Sequence, residues 1–223
     1  MERITVVGMG PLGASLGLAL KNIRLKNTEV VGHFLDRKTQ SEVNKMNAFD
    51  SIEGNLGKAV DGAQLVVIDF PINETRDLFE TLGTIVSDGA VITDMGSSKK
   101  RSAAWAEEFL PNTVSYVGGR PIIKVQLEGV AAASGNLFEG VNYCVIPSKS
   151  ADDQATKTVV GLAESIGANP YFLDVDEHDS YSAAMNNLPY LISTAFVNAT
   201  AGTESWREMH KSAGGLFDMQ SSL

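Results

Sequence analysis

The sequence predicts an α/β fold, a doubly wound and mostly parallel sheet followed by a short helical segment. Three observations predict it. Short apolar runs rich in β-branched residues recur as far as residue 173, and several are separated by stretches with the length and spacing of amphipathic helices. From about residue 177 the strand signal stops and the remainder reads as helix. Strands that alternate with helices form a sheet covered on both faces, because each crossover buries its apolar stripe against the strands. The expected division is a sheet domain over residues 1–175 and a helical segment over 176–223.

Strands are expected at 4–7, 29–34, 65–69, 90–94, 114–117, 143–146 and 171–173. Helices are expected directly after the first turn and at 74–86, 99–109, 151–166 and 180–201. A chain of 223 residues with 43% hydrophobic content can bury a full core. Its net charge is -9 and its longest basic run is Lys99-Lys100-Arg101, so nucleic acid and acidic membrane surfaces are poor partners. Cys144 is the only cysteine, which excludes a disulfide framework and a thiolate metal site. His33, His178 and His210 lie far apart without metal-ligand spacing. The chain enters a strand at once, without a signal-peptide pattern, and no apolar run reaches membrane-spanning length. A cytoplasmic protein is the expectation.

The first turn carries the chemistry most plainly. Gly8, Gly10 and Gly13 have the G-x-G-x-x-G spacing between an apolar strand and an apolar helix. The first glycine permits a tight turn, the second lets the backbone approach phosphates, and the third lets helix and strand pack closely. The helix N-terminus then offers unpaired N–H groups and partial positive charge to an anion. This is a Rossmann-type dinucleotide site, with Met9, Pro11 and Leu12 completing the turn. A glycine turn with only a structural role is the alternative.

Ligands of doubly wound sheets sit at the carboxyl ends of the strands. The second strand is followed there by Asp36-Arg37-Lys38. An acid at that place bonds the ribose hydroxyls of NAD, whereas a base accepts the extra phosphate of NADP. The reading leans to NAD through Asp36, with Arg37 keeping NADP open and a solvated charged turn as the plain alternative. The third strand ends at Phe70-Pro71, and Asn73 or Thr75 is placed to cap the next helix. This loop passes beside the cofactor in dinucleotide domains; an ordinary strand-to-helix turn fits equally. The fourth loop, Thr93-Asp94-Met-Gly96-Ser97-Ser98-Lys99, brings small and hydroxyl groups towards a nicotinamide, or supplies a serine N-cap. His178 is expected to be structural at a helix start, His33 and His210 to be at the surface, and Trp105 and Trp206 to be core or interface residues.

With these pieces in order, the chain resembles the prephenate and arogenate dehydrogenase family of tyrosine biosynthesis. The resemblance rests on Val7 to Gly17, on Thr93 to Lys99 against an Asp-x-Gly-Ser-x-Lys motif, and on Gly118-Gly-Arg-Pro121 against a Gly-His-Pro loop. Gly129-Val-Ala-Ala-Ala and Leu137-Phe-Glu-Gly140 look like the helix after that loop, and Asp176-Glu-His-Asp179 with Leu188-Pro189 like the start of the family's helical domain. The resemblance implies NAD- or NADP-dependent oxidative decarboxylation of prephenate or arogenate, with a possible homodimer through the helical segment. Ser97 corresponds to the family's assisting serine. Arg120 stands where the family has its loop histidine, and Asn186-Asn187-Leu188-Pro189-Tyr190 replaces a Ser-His-x-Pro-His segment. A guanidinium stays protonated, so Arg120 orients a hydroxyl or clamps a carboxylate rather than acting as a base. Ser97, a water or Tyr190 then takes the base's place. The helical part given is also shorter than the family's, either shortened naturally or an incomplete stretch of it, and Ser221 is the position aligned nearest to the family's substrate-binding arginine. Ser97, Arg120 and Asn187 are thus the catalytic candidates, and the cofactor candidates end with Gly96. Two other functions stay open: a nucleotide-binding relative with impaired catalysis, and a dehydrogenase of another small carboxylic acid.

Overall fold

Eight strands form one sheet in the computed structural model, which describes residues 2–8, 10–34, 37–203 and 205–221, with Arg37 by its backbone. At its centre β1 (Glu2–Gly8) lies between β2 (Thr28–His33) and β4 (Leu65–Asp69), parallel to both. A two-residue strand, β3 (Ser51–Ile52), extends the β2 edge. On the other side follow β5 (Val91–Asp94), β6 (Ser115–Pro121), β7 (Asn142–Pro147) and β8 (Asn169–Phe172), giving the order 3-2-1-4-5-6-7-8. The order reverses between β1 and β4. That is where a doubly wound sheet opens a crevice for ligands.

The central strands carry buried apolar runs because both faces are covered. Val6 and Val67 join one buried cluster with Leu16, Val30 and Phe34, while Val7, Val66 and Ile68 join a second with Phe79, Ile92 and Tyr116. The covering helices are α1 (Pro11–Ile23), α2 (Arg37–Met46), α3 (Leu56–Val60), α4 (Ile72–Ile85), α5 (Lys99–Phe109) and α6 (Asp153–Ser165). Asp152 caps α6 by accepting the N–H of Ala155 at 2.6 Å, and Gly167 turns the chain after it at φ +79°. Helices α4 and α5 touch at Gly83, where a Cβ would overlap the carbonyl oxygen of Phe109.

One strand departs from the parallel pattern, and one expected helix needs correction. The strand β7 runs antiparallel to β6, pairing Pro121 with Tyr143 and Val117 with Pro147. A parallel return needs a crossover of a dozen or more residues, usually a helix. The helix expected after the Gly-Arg-Pro loop is only a single 3₁₀ turn, Val130–Ala132, so the chain comes back the other way. Strand β3 and helices α2 and α3 are additional to the expected elements; they are too short or too polar to stand out by periodicity.

Two compact units divide the chain, residues 1–178 and 179–223. The helix α7 (Val175–Ser182) leads through a π turn, Ala183–Asn187, into α8 (Leu188–Ala201). Pro189 has no N–H to give the preceding turn, and a widened turn just before it relieves that loss. Two short helices follow, α9 (Trp206–Lys211) and α10 (Gly215–Ser221). In this unit Phe217 meets Phe196, Trp206 and His210 at ring-centre distances of 5.4, 5.6 and 5.8 Å. Trp206 thus sits among aromatic rings, and Gln220 Nε2 donates to Ser193 Oγ at 2.8 Å. Among the described residues, no helix is long and apolar enough to cross a membrane.

Candidate active site

The glycine-rich turn lies where the last residue of β1, Gly8, is paired with the last residue of β4, Asp69. Gly10 is the extended N-cap of α1, at φ −101° and ψ 171°, and Pro11 and Leu12 follow at the first helical positions. The first turn of α1 has no acidic residue and no side-chain cap of its own. Proline has no N–H, so the N–H of Leu12 is a donor that helix geometry leaves for a ligand. The N–H of Gly13 is different: it donates to Asp69 Oδ2 at 2.8 Å. A Cβ at Gly10 would stand 2.7 Å from that oxygen, and one at Gly13 3.2 Å. The second and third glycines therefore make room for a carboxylate of this chain. Burial pushes the Asp69 carboxyl above its ordinary range, against the opposing pull of the Gly13 and Gly10 N–H groups.

The neighbouring loops divide between scaffold and site. Met9 and Asp36 lie outside the described residues, and Arg37 opens α2. Phe70 packs against the second apolar cluster, and Pro71 is the exposed N-cap residue of α4. Thr75 does not cap that helix: the residue is 3% exposed and its hydroxyl donates to the Pro71 carbonyl at 2.9 Å. Asn73 does not cap it either, because Pro71 holds that position and makes no side-chain cap bond. His33 is a further correction, being buried with its Nδ1 2.8 Å from the Glu53 carbonyl oxygen. That bond supplies the polar partner a buried imidazole needs. His210 is exposed, as expected.

At the carboxyl end of β5, Asp94 is the hub of a buried network. Its Oδ2 is 2.7 Å from Lys99 Nζ, and its Oδ1 accepts the Tyr116 hydroxyl at 2.5 Å. The N–H of Gly96 and the hydroxyl of Ser102 reach Oδ2 at 3.2 and 3.4 Å. Lys99 and Asp94 are 1% and 2% exposed. The aspartate and lysine of the fourth loop are therefore its anchor. They leave Ser97 exposed at the tip, with Ser98 at the N-cap position of α5.

Arg120, near the end of β6, reaches this tip: its Nη1 donates to the Ser97 carbonyl at 3.2 Å and lies 3.4 Å from His178 Nε2. An arginine can only donate, so a hydrogen bond across this contact requires an imidazole whose Nε2 carries no proton. His178 is 3% exposed. Nearby, Thr93 and Tyr143 turn buried hydroxyls towards the backbone of Gly119, and burial pushes the Tyr143 hydroxyl up. Burial likewise pushes the Cys144 thiol up, although Arg120 and Lys99 pull it down. Among the described residues, no group of three His, Cys, Asp or Glu side chains is placed to hold a metal ion.

The structure thus brings Ser97, Arg120 and Gly96 to one end of the sheet. Asn187 closes the π turn before α8, exposed, in the unit of residues 179–223. Two roles escaped the sequence. His178 gave no sign of facing Arg120, which is 58 positions away. Asp69 had one legible signal, an acid ending an otherwise apolar strand.

The family described as "Prephenate dehydrogenase, nucleotide-binding domain" matches residues 16–172. Among curated proteins, the chain is 27% identical to a prephenate dehydrogenase of Bacillus subtilis, over 98% of this chain and 59% of that protein. It is 26% identical to a prephenate dehydrogenase of Lactococcus lactis, over 98% of this chain and 60% of that protein. The chain therefore spans about three fifths of the length of these two relatives. Among solved structures, prephenate dehydrogenase from A. aeolicus, in complex with hydroxyphenyl propionate and NAD+, superimposes with a TM-score of 0.91 at 24% identity. That match covers 100% of this chain and 77% of the other.

Proposed function

We infer the function from one premise: the chain belongs to the prephenate dehydrogenase family, through that family's nucleotide-binding domain. We propose that it catalyses the oxidative decarboxylation of prephenate or arogenate with NAD or NADP, in tyrosine biosynthesis, in the cytoplasm. The observation that carries the reading is the meeting of Arg120 with the Ser97 loop, on the same sheet as the glycine-rich turn.

The turn suits the diphosphate of a dinucleotide in its extended Gly10, its helix N-terminus and the absence of acid from the first turn of α1. Gly8, Gly10, Pro11, Leu12 and Gly13 would hold that group, with Phe70, Pro71 and Gly96 bordering the rest. A bound nicotinamide supplies the acceptor for a hydride. Arg120 remains protonated and grips a substrate carboxylate with its fork of donors. His178 lies beside the guanidinium, its Nε2 3.4 Å from Nη1, and helps to hold it in place. Ser97 bonds the ring hydroxyl and, being exposed, opens a path to water for its proton. The hydride leaves the ring carbon that bears this hydroxyl. The bond between the ring and its own carboxylate then breaks, releasing carbon dioxide; the electron pair completes the aromatic ring, and the ring oxygen regains a proton.

The purified chain, mixed with prephenate or arogenate and with NAD or NADP, is expected to generate reduced-nicotinamide absorbance and carbon dioxide in at least one of the four pairings. Silence in all four, with dinucleotide binding intact by calorimetry, removes this activity and favours a binding protein. Turnover confined to another small hydroxy acid reassigns the carboxylate that Arg120 grips.

The same reading includes a homodimer through the helical segment. Leu188, Tyr190, Leu191 and Ile192 on α8 are each more than half exposed, an apolar surface unusual for a side facing water. Sedimentation should give twice the chain mass of 23.8 kDa. A single-chain mass at micromolar concentration would remove the dimer.

A further inference from the structure

A carboxyl group of the protein itself stands at the place where the proposed function needs room for a diphosphate. Asp69 enters from the end of β4, and its Oδ2 takes the Gly13 N–H at 2.8 Å. The same oxygen lies where a Cβ on Gly10 would be 2.7 Å away. A Cβ on Gly8 would come 2.7 Å from the Asp69 Cβ, so all three glycines of the motif close around this one side chain. The carboxylate does for α1 what a capping acid does for any helix: it satisfies an orphan N–H and sits in the positive end of the dipole. A diphosphate at the same helix end needs the same donors and brings charge of the same sign.

We propose that Asp69 is an internal competitor for the diphosphate: its carboxylate engages the donors of the glycine-rich turn, and loss of its charge strengthens dinucleotide binding. The inference rests on the dinucleotide-binding reading above and adds a specificity residue to it. Among the described residues, no cation is paired with Asp69. From β1 and α1 it is faced by Gly8, Gly10 and Gly13, none of them titratable. On the other flanking strand, the titratable group is Asp94, bonded to Lys99 and Tyr116. The charge on Asp69 is therefore set by its burial and by two backbone N–H groups. A bound diphosphate, which stays ionised across the neutral range, adds repulsion and favours the protonated acid.

The experiment measures binding of ADP-ribose, which carries the diphosphate without a reactive ring, and of adenosine, which lacks it. Calorimetry on the whole chain compares the parent with Asp69→Asn and Asp69→Ser. Asp69→Asn is expected to bind ADP-ribose about tenfold more tightly, the size of one relieved like-charge contact, with adenosine unchanged. The parent's affinity for ADP-ribose should fall as pH rises above the ordinary carboxylate range and Asp69 loses its proton, while both variants stay flat. A role limited to holding the turn would predict weaker binding by the variants and no such pH profile. Equal or weaker binding by the variants overturns the inference. So does a flat profile in the parent, which needs no variant to fold. If no form of the protein binds ADP-ribose at any pH, the dinucleotide reading itself falls and takes this inference with it.

Discussion

Lys99→Ala is expected to destabilise the protein by about 3–5 kcal/mol, the cost of stranding one charge of a buried ion pair. Lys99 Nζ lies 2.7 Å from Asp94 Oδ2, and both residues are almost fully withdrawn from water. Without the ammonium, the Asp94 carboxylate keeps the Tyr116 hydroxyl, the Ser102 hydroxyl and the Gly96 N–H, but no compensating charge. Neutral donors recover only part of the energy lost when a carboxylate leaves water. Urea unfolding of the variant tests this through the transition midpoint. The double variant Lys99→Met with Asp94→Asn removes both charges and should recover most of the loss, because the penalty belongs to the unpaired ion. A single variant within about 1 kcal/mol of the parent would mean that the pair contributes little, as exposed pairs do.

Arg120→Ala should raise KM for the carboxylate substrate about a hundredfold, in line with the roughly 1.5–3 kcal/mol of a hydrogen bond to a charged group. Dinucleotide affinity should change by less than about threefold, since additivity holds for groups that share no partner. Arg120→Lys should recover little, because an ammonium has neither the planar fork nor the reach to bond the Ser97 carbonyl and a ligand together. Steady-state kinetics with calorimetry on the same samples separates the two effects. Parallel loss of substrate and dinucleotide affinity would assign Arg120 to the architecture of the Ser97 loop and remove it from substrate binding.

The chain announces its scaffold clearly and its polar interior poorly. Strands β1, β2, β4 and β5 are legible because parallel strands buried on both faces must be continuous apolar runs. The direction of β7 is not, since a run such as Tyr143-Cys-Val-Ile146 reads the same whichever way it pairs. The glycine spacing is legible as a turn. What those glycines make room for depends on β4 lying next to β1, a long-range fact absent from local pattern. His33 shows the same limit: an imidazole in a strand is assigned to the surface until a carbonyl 20 positions away is seen to meet it. Ser97 and Arg120 could be named from motif order alone. Their connection through a backbone carbonyl, with His178 behind, comes only from the folded chain.

The reversal of β7 gives the sheet a last functional corner. Since Val117 is paired with Pro147 and Pro121 with Tyr143, the far end of β7 lies beside the beginning of β6, on the opposite margin. Arg120 therefore marks the boundary of the row of strand ends that can offer groups to a small molecule. Beyond that boundary the same margin carries the beginnings of β7 and β8, so the loops that lead into these strands are a natural place to vary the size of what the site accepts.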